Sequence, residues 1–271
     1  MKIPDHHIAT ALQAAYVAGC EILQIYHQPF DYELKADNSP LTIADKRAHA
    51  IISESLAASG IPILSEEGSE ISYETRKDWN QYWLVDPLDG TKEFIKKNGD
   101  FTVNIALIYN QQPVFGVVYA PVPGIMFWGS ESGSFRLNTG NLGVDDFKNF
   151  DRLKTLAEHL PCITGNDSYL VLGSRSHMNA ETESFINDLK KLYPDLAFVS
   201  RGSSLKFCTL AEGGADIYPR FGPTMEWDTA AGHAVAVFAG CTILQVETGQ
   251  PLLYNKPSLL NPHFVAERKK K

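Results

Sequence analysis

Trp83-Leu84-Val85-Asp86-Pro87-Leu88-Asp89-Gly90-Thr91 places two carboxylates, a glycine and a hydroxyl at the end of an apolar run. Tyr82 to Val85 reads as the end of a buried strand, and Pro87 forbids simple continuation of its ladder. Gly90-Thr91 then opens Lys92-Glu93-Phe94-Ile95-Lys96, a segment fit to start a helix. A helix N-terminus offers free N–H groups to an anion, while Mg2+ prefers carboxylate and carbonyl oxygens. Asp86 and Asp89 are therefore candidate metal ligands, and Gly90 and Thr91 candidate phosphate contacts. Taken alone, Asp86 to Gly90 reads better as a plain turn, because Asp, Pro and Gly are the commonest turn formers.

The neighbouring segments tip that balance. Ile63-Leu64-Ser65 is a second short apolar strand, and it ends in Glu66-Glu67. Downstream, Trp227-Asp228 begins the helical run Asp228 to Val237. Carboxylates crowded into one cleft repel unless cations neutralise them. Acids at four element ends, Glu66, Asp86, Asp89 and Asp228, argue for more than one ion.

These segments, with Thr229-Ala230-Ala231-Gly232 after Asp228, resemble the signatures of the inositol monophosphatase-like, lithium-sensitive phosphatases, and the resemblance covers nearly the whole chain. Tyr82 to Lys96, Gly202-Ser203-Ser204-Leu205-Lys206-Phe207-Cys208 and Tyr218-Pro219-Arg220-Phe221-Gly222-Pro223-Thr224 look like the 3'(2'),5'-bisphosphate nucleotidase branch. Inositol phosphatases typically show Thr-Thr-Asn-Phe where this chain has Thr91-Lys92-Glu93-Phe94. The resemblance implies a layered αβαβα sandwich of mixed α+β and α/β character. It also implies hydrolysis of adenosine 3',5'-bisphosphate, and of its sulfated relative PAPS, in sulfur metabolism. An inositol or sugar phosphatase with the same metal core is the closest alternative, and an idle nucleotide or metal sensor is the alternative of another class.

The site roles come from the same resemblance. Glu66, Asp86 and the Leu88 carbonyl would hold an activating magnesium, and Asp86, Asp89 and Asp228 a second. A third ion is common in the family. Metal would lower the pKa of the attacking water and stabilise the leaving oxygen. Asp45, in Lys35 to Asp45, would help Thr91 orient that water, although Thr42 and Asp45 by themselves read as a capping box. Glu67 either binds a metal-coordinated water or follows Glu66 into solvent. His177, Gly202, Ser203, Lys206 and Arg220 would contact ribose, phosphate or base, next to Glu66, Leu88, Asp89, Gly90, Thr91 and Asp228 on the reacting side. From the residues alone, His177 reads as an ordinary loop histidine, His233 as a packed helix residue, and Trp227 and Phe221 as core or wall aromatics.

Composition bounds the remaining possibilities. The chain has 271 residues, of which 44% are hydrophobic, enough for one large domain or two coupled ones. A net charge of -8 argues against binding nucleic acid polymers, which needs a basic face. A small nucleotide is different, because bound metal supplies positive charge locally. Cys20, Cys162, Cys208 and Cys241 form no Cys-x-x-Cys pair and stand in apolar contexts, where buried free thiols in a reduced cytoplasm are the default. No apolar run approaches the roughly 20 residues of a membrane span. Arg268-Lys269-Lys270-Lys271 reads as a frayed, solvated end. The family resemblance adds peripheral attachment to the cytoplasmic face of the inner membrane as a minor alternative, and oligomeric state stays open.

Periodicity divides the chain. Ile8, Leu12, Tyr16, Gly19, Leu23 and Tyr26 recur at helical spacing, and a second helix follows Thr42. Phe101 to Ala120 alternates as a hairpin with Asn110 to Pro113 between its arms, and Ile125 to Gly129 adds a strand. Residues 130–167 read as a connection with one short helix near Lys154 to His159. Strands at Tyr169 to Leu172, Leu196 to Ser200, Ala215 to Tyr218 and Thr242 to Val246 then alternate with helices through Phe185 to Leu192, from Ser203 and from Asp228. The expected halves are 1–166, with most metal ligands, and 167–271, with the nucleotide contacts and the last ligand.

Overall fold

The computed structural model describes residues 3–34, 40–163, 168–173 and 179–269. Helices α1 (Asp5–Tyr26) and α2 (Ile43–Ala57) are separated by a small hairpin of β1 (Tyr32–Leu34) and β2 (Pro40–Thr42). There follow β3 (Ile63–Ser65), α3 (Tyr73–Arg76), β4 (Gln81–Asp89) and α4 (Thr91–Ile95). A meander of β5 (Thr102–Tyr109), β6 (Gln112–Ala120), β7 (Ile125–Ser130) and β8 (Gly133–Asn138) continues to α5 (Phe150–Leu156) and β9 (Glu158–His159). The rest alternates: β10 (Leu170–Gly173), α6 (Ala180–Leu192), β11 (Ala197–Ser200), α7 (Leu205–Glu212), β12 (Ile217–Arg220), α8 (Glu226–Phe238), β13 (Cys241–Gln245) and β14 (Phe264–Arg268).

Besides the two-stranded β1-β2 pair, two large sheets result, one of seven strands in the order β3-β4-β5-β6-β7-β8-β9 and one of five in the order β11-β10-β12-β14-β13. The central strands of the larger sheet are apolar on both faces. Trp83, Val85, Ile105 and Leu107 join the α1 and α2 side, while Tyr82, Leu84, Ala106 and Ile108 join α7 and α8 on the other. A strand with two buried faces needs no polar alternation, which is why Tyr82 to Val85 is a continuous apolar run. Helix α6 covers the outer face of the smaller sheet, packing Ile186 with Tyr169, Val171 and Ile217. The layers are therefore helix, sheet, helix, sheet, helix. The middle layer, α7 and α8, shares one core with both sheets.

Contact between α8 and the larger sheet is close because glycine lies beneath it. A Cβ at Gly116 would sit 2.4 Å from the Ala231 carbonyl oxygen, and one at Gly129 would sit 2.7 Å from the Ala234 carbonyl oxygen. Those gaps bring the helix backbone almost onto the sheet, with Asp228 in its first turn.

Several expectations need correction. Residues 130–167 hold β8, a 3-10 turn at Val144–Lys148, α5 and β9, so the short helix ends at Leu156 and His159 belongs to a strand. The hairpin turn is only Asn110 and Gln111, both left-handed, with Pro113 inside β6 beside a register shift. Arg268 ends β14; its N–H donates to the Asp216 carbonyl and its Nη2 lies 3.3 Å from Asp216 Oδ1. Cys162 is exposed. By length and apolarity α1 could cross a membrane, contrary to the reading of the run. Its Ala11, Leu12, Ala15 and Ile22 are instead fully buried in the core.

Candidate active site

The site is built on an irregularity in β4. Asp86 pairs with Asn104 and Asp89 with Thr102, so three steps along β4 match two along β5. Successive strand residues point to opposite faces, and residues three apart would normally diverge. The extra residue of this bulge returns Asp86 and Asp89 to one face. Pro87 has no N–H to give the ladder, and the Leu88 N–H donates to Asp86 Oδ1 at 3.1 Å. The strand therefore runs past Pro87 to Asp89, farther than the expected stop at Val85.

β3 pairs in parallel with β4, Ser65 opposite Val85, which sets Glu66 beside Asp86. Helix α8 supplies Asp228 from the other half. Carboxylate oxygens of Glu66, Asp86 and Asp228 lie within 4.8 Å of one another. Burial, followed by the charges of Glu66, Asp89 and Asp228, pushes the Asp86 carboxyl well above its ordinary range. Burial and the Asp89 charge lift Asp228 to about 8. Burial lifts Asp89 to about 6, held down by Lys206 and the Ser204 N–H. Anionic oxygens in which negative charge is so disfavoured are the donor set that a hard divalent cation relieves. The residues present therefore fit magnesium.

Asp45 caps α2 as expected and also reaches Thr91. Its Oδ2 accepts from the Thr42 N–H at 2.7 Å and the Thr42 hydroxyl at 2.6 Å, closing the cap of α2. Its Oδ1 accepts from the Thr91 hydroxyl at 3.1 Å. Thr91 is thus tied to Asp45 and, at 3.3 Å, to the Leu88 carbonyl. Glu67 is half-buried, and its charge acts on Asp45 and His49, so it does not simply run into solvent.

The opposite wall is the start of α7. Ser203, left-handed at φ 46, donates its hydroxyl between the Asp89 and Asp100 carbonyls at 2.9 and 2.8 Å. The Ser204 N–H reaches Asp89 Oδ2 at 2.8 Å, its hydroxyl donates to the Asp228 carbonyl at 2.9 Å, and Asn104 Nδ2 donates to that hydroxyl at 3.0 Å. One buried serine thus joins β4, β5, α7 and α8. Gly202 has no room for a side chain, since a Cβ would stand 2.7 Å from the Asp100 carbonyl. Lys206 is buried, with Nζ donating to the Ser203 carbonyl at 2.8 Å. Burial lowers its pKa to about 8, with Asp89 opposing the fall. Arg220 bonds the Pro223 carbonyl at 2.9 Å, while its buried Nε has no partner among the described residues.

Behind Asp228 the N-terminus of α8 is clamped. Asp228 Oδ2 accepts from the Met225 N–H at 2.8 Å. Fully buried Glu226 accepts from the N–H groups of Asn255 and Lys256 at 2.7 and 3.0 Å, and from Lys256 Nζ at 2.6 Å. Asn261 Nδ2 donates to the Met225 carbonyl at 2.8 Å.

Of the expected contacts, Asp89, Gly90, Gly202, Ser203, Lys206, Arg220 and Asp228 line one cleft. Glu66 and Asp86 join this cleft through Asp228, and Thr91, next to Gly90, is tied to Asp45 and Leu88. His177 lies outside the described residues. His233 is structural as expected, its Nδ1 2.9 Å from the Tyr254 hydroxyl. Sequence reading missed Asn104, Ser204, Asp100 and Glu226. A signal existed for Asn104, the lone amide in the apolar run Val103 to Ile108.

Comparison with known proteins agrees with this geometry. The model of the inositol monophosphatase family matches residues 4–271. The chain is 46% identical to the 3'(2'),5'-bisphosphate nucleotidase CysQ of Shigella flexneri, over 93% of this chain and 96% of that one. It is 45% identical to the same enzyme of Escherichia coli strain K12, again over 93% and 96%. The crystal structure of CysQ from Bacteroides thetaiotaomicron superposes with a TM-score of 0.88, at 47% identity, over 98% of both chains.

Proposed function

Because the chain belongs to the inositol monophosphatase family, we propose that this cleft is the active centre of a magnesium-dependent 3'(2'),5'-bisphosphate nucleotidase. The enzyme hydrolyses adenosine 3',5'-bisphosphate to AMP and phosphate, in the cytoplasm and in sulfur metabolism. PAPS is a second substrate on this reading. The carrying observation is the convergence of Glu66, Asp86 and Asp228 within 4.8 Å. That cluster opens onto a wall bearing Lys206 and Arg220.

Glu66, Asp86, the Leu88 carbonyl, Asp89 and Asp228 would hold two ions, with Asp86 shared. Magnesium bound there supplies positive charge against the phosphate oxygens and acidifies a water. The Thr91 hydroxyl donates to Asp45 at 3.1 Å, which leaves its oxygen lone pairs free to accept a hydrogen bond from a water and orient it in line. Burial raises the pKa of Asp45 and so makes it a better proton acceptor at the end of this pair. On this reading the N–H groups of Gly90 and Thr91, at the start of α4, contact the transferring phosphate. The halves 1–166 and 167–271 divide the labour, the first holding the reacting phosphate and the second the rest of the nucleotide.

Arg220, with an unpaired buried Nε, suits the non-reacting phosphate, a group that inositol monophosphate lacks. Relatives named for the bisphosphate at 45% identity and above favour it over inositol or sugar phosphates. Phosphate release from adenosine 3',5'-bisphosphate, inositol phosphate and fructose bisphosphate, measured side by side, is the test. A higher kcat/KM on either of the last two would replace this reading.

A further inference from the structure

Glu93 lines the same cleft, yet none of the roles above uses it. It is half-buried on the first turn of α4, and its carboxylate takes no hydrogen bond or ion pair among the described residues. Its charge is nevertheless felt by Lys206 across the cleft. Residues two apart on a helix face about 200° away from each other, so Thr91 turns to Asp45 while Glu93 turns to the Lys206 and Arg220 wall. A free carboxylate beside a phosphate site repels the substrate unless the substrate brings a hydrogen-bond donor to it. Within one helical turn of Thr91, about 5.4 Å along the axis, the reachable groups are those next to the scissile ester. In a ribonucleotide that neighbour is the vicinal hydroxyl.

We infer that Glu93 is a specificity-determining residue that accepts a hydrogen bond from the hydroxyl vicinal to the scissile phosphate, so that the enzyme selects ribonucleotide over 2'-deoxyribonucleotide bisphosphates. The inference rests on the nucleotidase reading and deepens it. A site built around a charged acceptor discriminates against a substrate that lacks the donor, because the acceptor is then left unpaired where it is half-buried in the cleft.

The test measures kcat/KM for adenosine 3',5'-bisphosphate and its 2'-deoxy analogue with wild-type enzyme, Glu93→Gln and Glu93→Ala. Wild type should favour the ribonucleotide about ten- to a hundredfold, the weight of a hydrogen bond to a charged group. In both variants the ratio should fall toward one, with the loss carried by the ribonucleotide. The isosteric glutamine keeps the test decisive if truncation loosens the short α4. A wild-type ratio near one, or a ratio that survives Glu93→Ala, overturns the role of Glu93 and leaves the nucleotidase reading standing. Hydrolysis of inositol phosphate with neither nucleotide turned over would remove the reading itself, and the role of Glu93 with it.

Discussion

Gly116→Ala should disable catalysis from the sheet beneath α8 without touching a metal ligand. The added methyl would lie 2.4 Å from the Ala231 carbonyl oxygen, 2.8 Å from its Cα and 2.9 Å from the Ala234 Cβ. Carbon atoms rest at about 3.5–4.0 Å from their neighbours, so α8 and β6 must part by about 1 Å. The next turn of α8 lies just as close over Gly129, where a Cβ would stand 2.7 Å from the Ala234 carbonyl oxygen, so a sideways shift of the helix is also restricted. Ala231 is less than a turn from Asp228, so the displacement reaches the last metal ligand. Overpacking of this kind costs about 1–3 kcal/mol. A chain of this size should then lose roughly 2–4 °C in Tm for each kcal/mol. Misplacing a catalytic group by about 1 Å costs on the order of a hundredfold in rate. Expected together are a modest fall in Tm, a kcat lower by about that factor and a raised magnesium half-saturation. Ile22→Val serves as control, being fully buried in α1 on the opposite face of the sheet. It should lower Tm by a similar or smaller amount and keep wild-type magnesium dependence. Wild-type kcat and magnesium half-saturation in Gly116→Ala would show that Asp228 is not placed by this contact.

Asp89→Asn should fold normally, since its remaining oxygen can still accept from the Ser204 N–H now at 2.8 Å, but should lose about 10²–10³ in kcat; paired melting and activity curves decide, and wild-type turnover in saturating magnesium would remove Asp89 from the site. Arg220→Ala should reduce kcat/KM on adenosine 3',5'-bisphosphate by about 1–3 kcal/mol and spare a minimal phosphomonoester. Equal losses on the two substrates would make Arg220 a support of the fold. The third concerns His233, whose burial lowers its pKa to about 3. The unfolded chain binds a proton below about pH 6.5 that the native state refuses, so stability is present above that pH and falls on acidification by up to about 1.4 kcal/mol per unit. Urea unfolding of wild type and His233→Gln from pH 7 to 4.5 should give a steeper slope for wild type; parallel slopes would contradict the burial assigned to this ring.

The parts legible in the sequence were those whose cause is local. Apolar runs ending in acids located β3 and β4, the helical run from Asp228 located α8 to within two residues, and Thr42 with Asp45 announced the cap of α2. Resemblance carried the metal set further than spacing could, because nothing in the order of Asp86, Pro87, Leu88 and Asp89 reveals that β5 is one residue short opposite them. The second wall was harder. Ser204 and Asn104 act through partners 100 residues apart, and neither residue type signals such a link. β14 and the pairing of half-buried Arg268 escaped because a basic chain end looks solvated until Asp216 is seen beside it. Asp45 was posed as a choice between capping and catalysis, although a carboxylate has two oxygens and this one divides them.

The bulge in β4 makes the centre sensitive to parity. Exchanging Pro87 or Leu88 for another residue leaves the count intact, and Asp86 and Asp89 remain on one side of the sheet. Adding one residue to β5 between Thr102 and Asn104 would set three steps against three, restore even alternation and send one of the two acids toward the apolar layer beneath α1 and α2. Along this stretch the chemistry is thus encoded in a difference of lengths between two strands, tolerant of spelling and intolerant of a letter added to the shorter one.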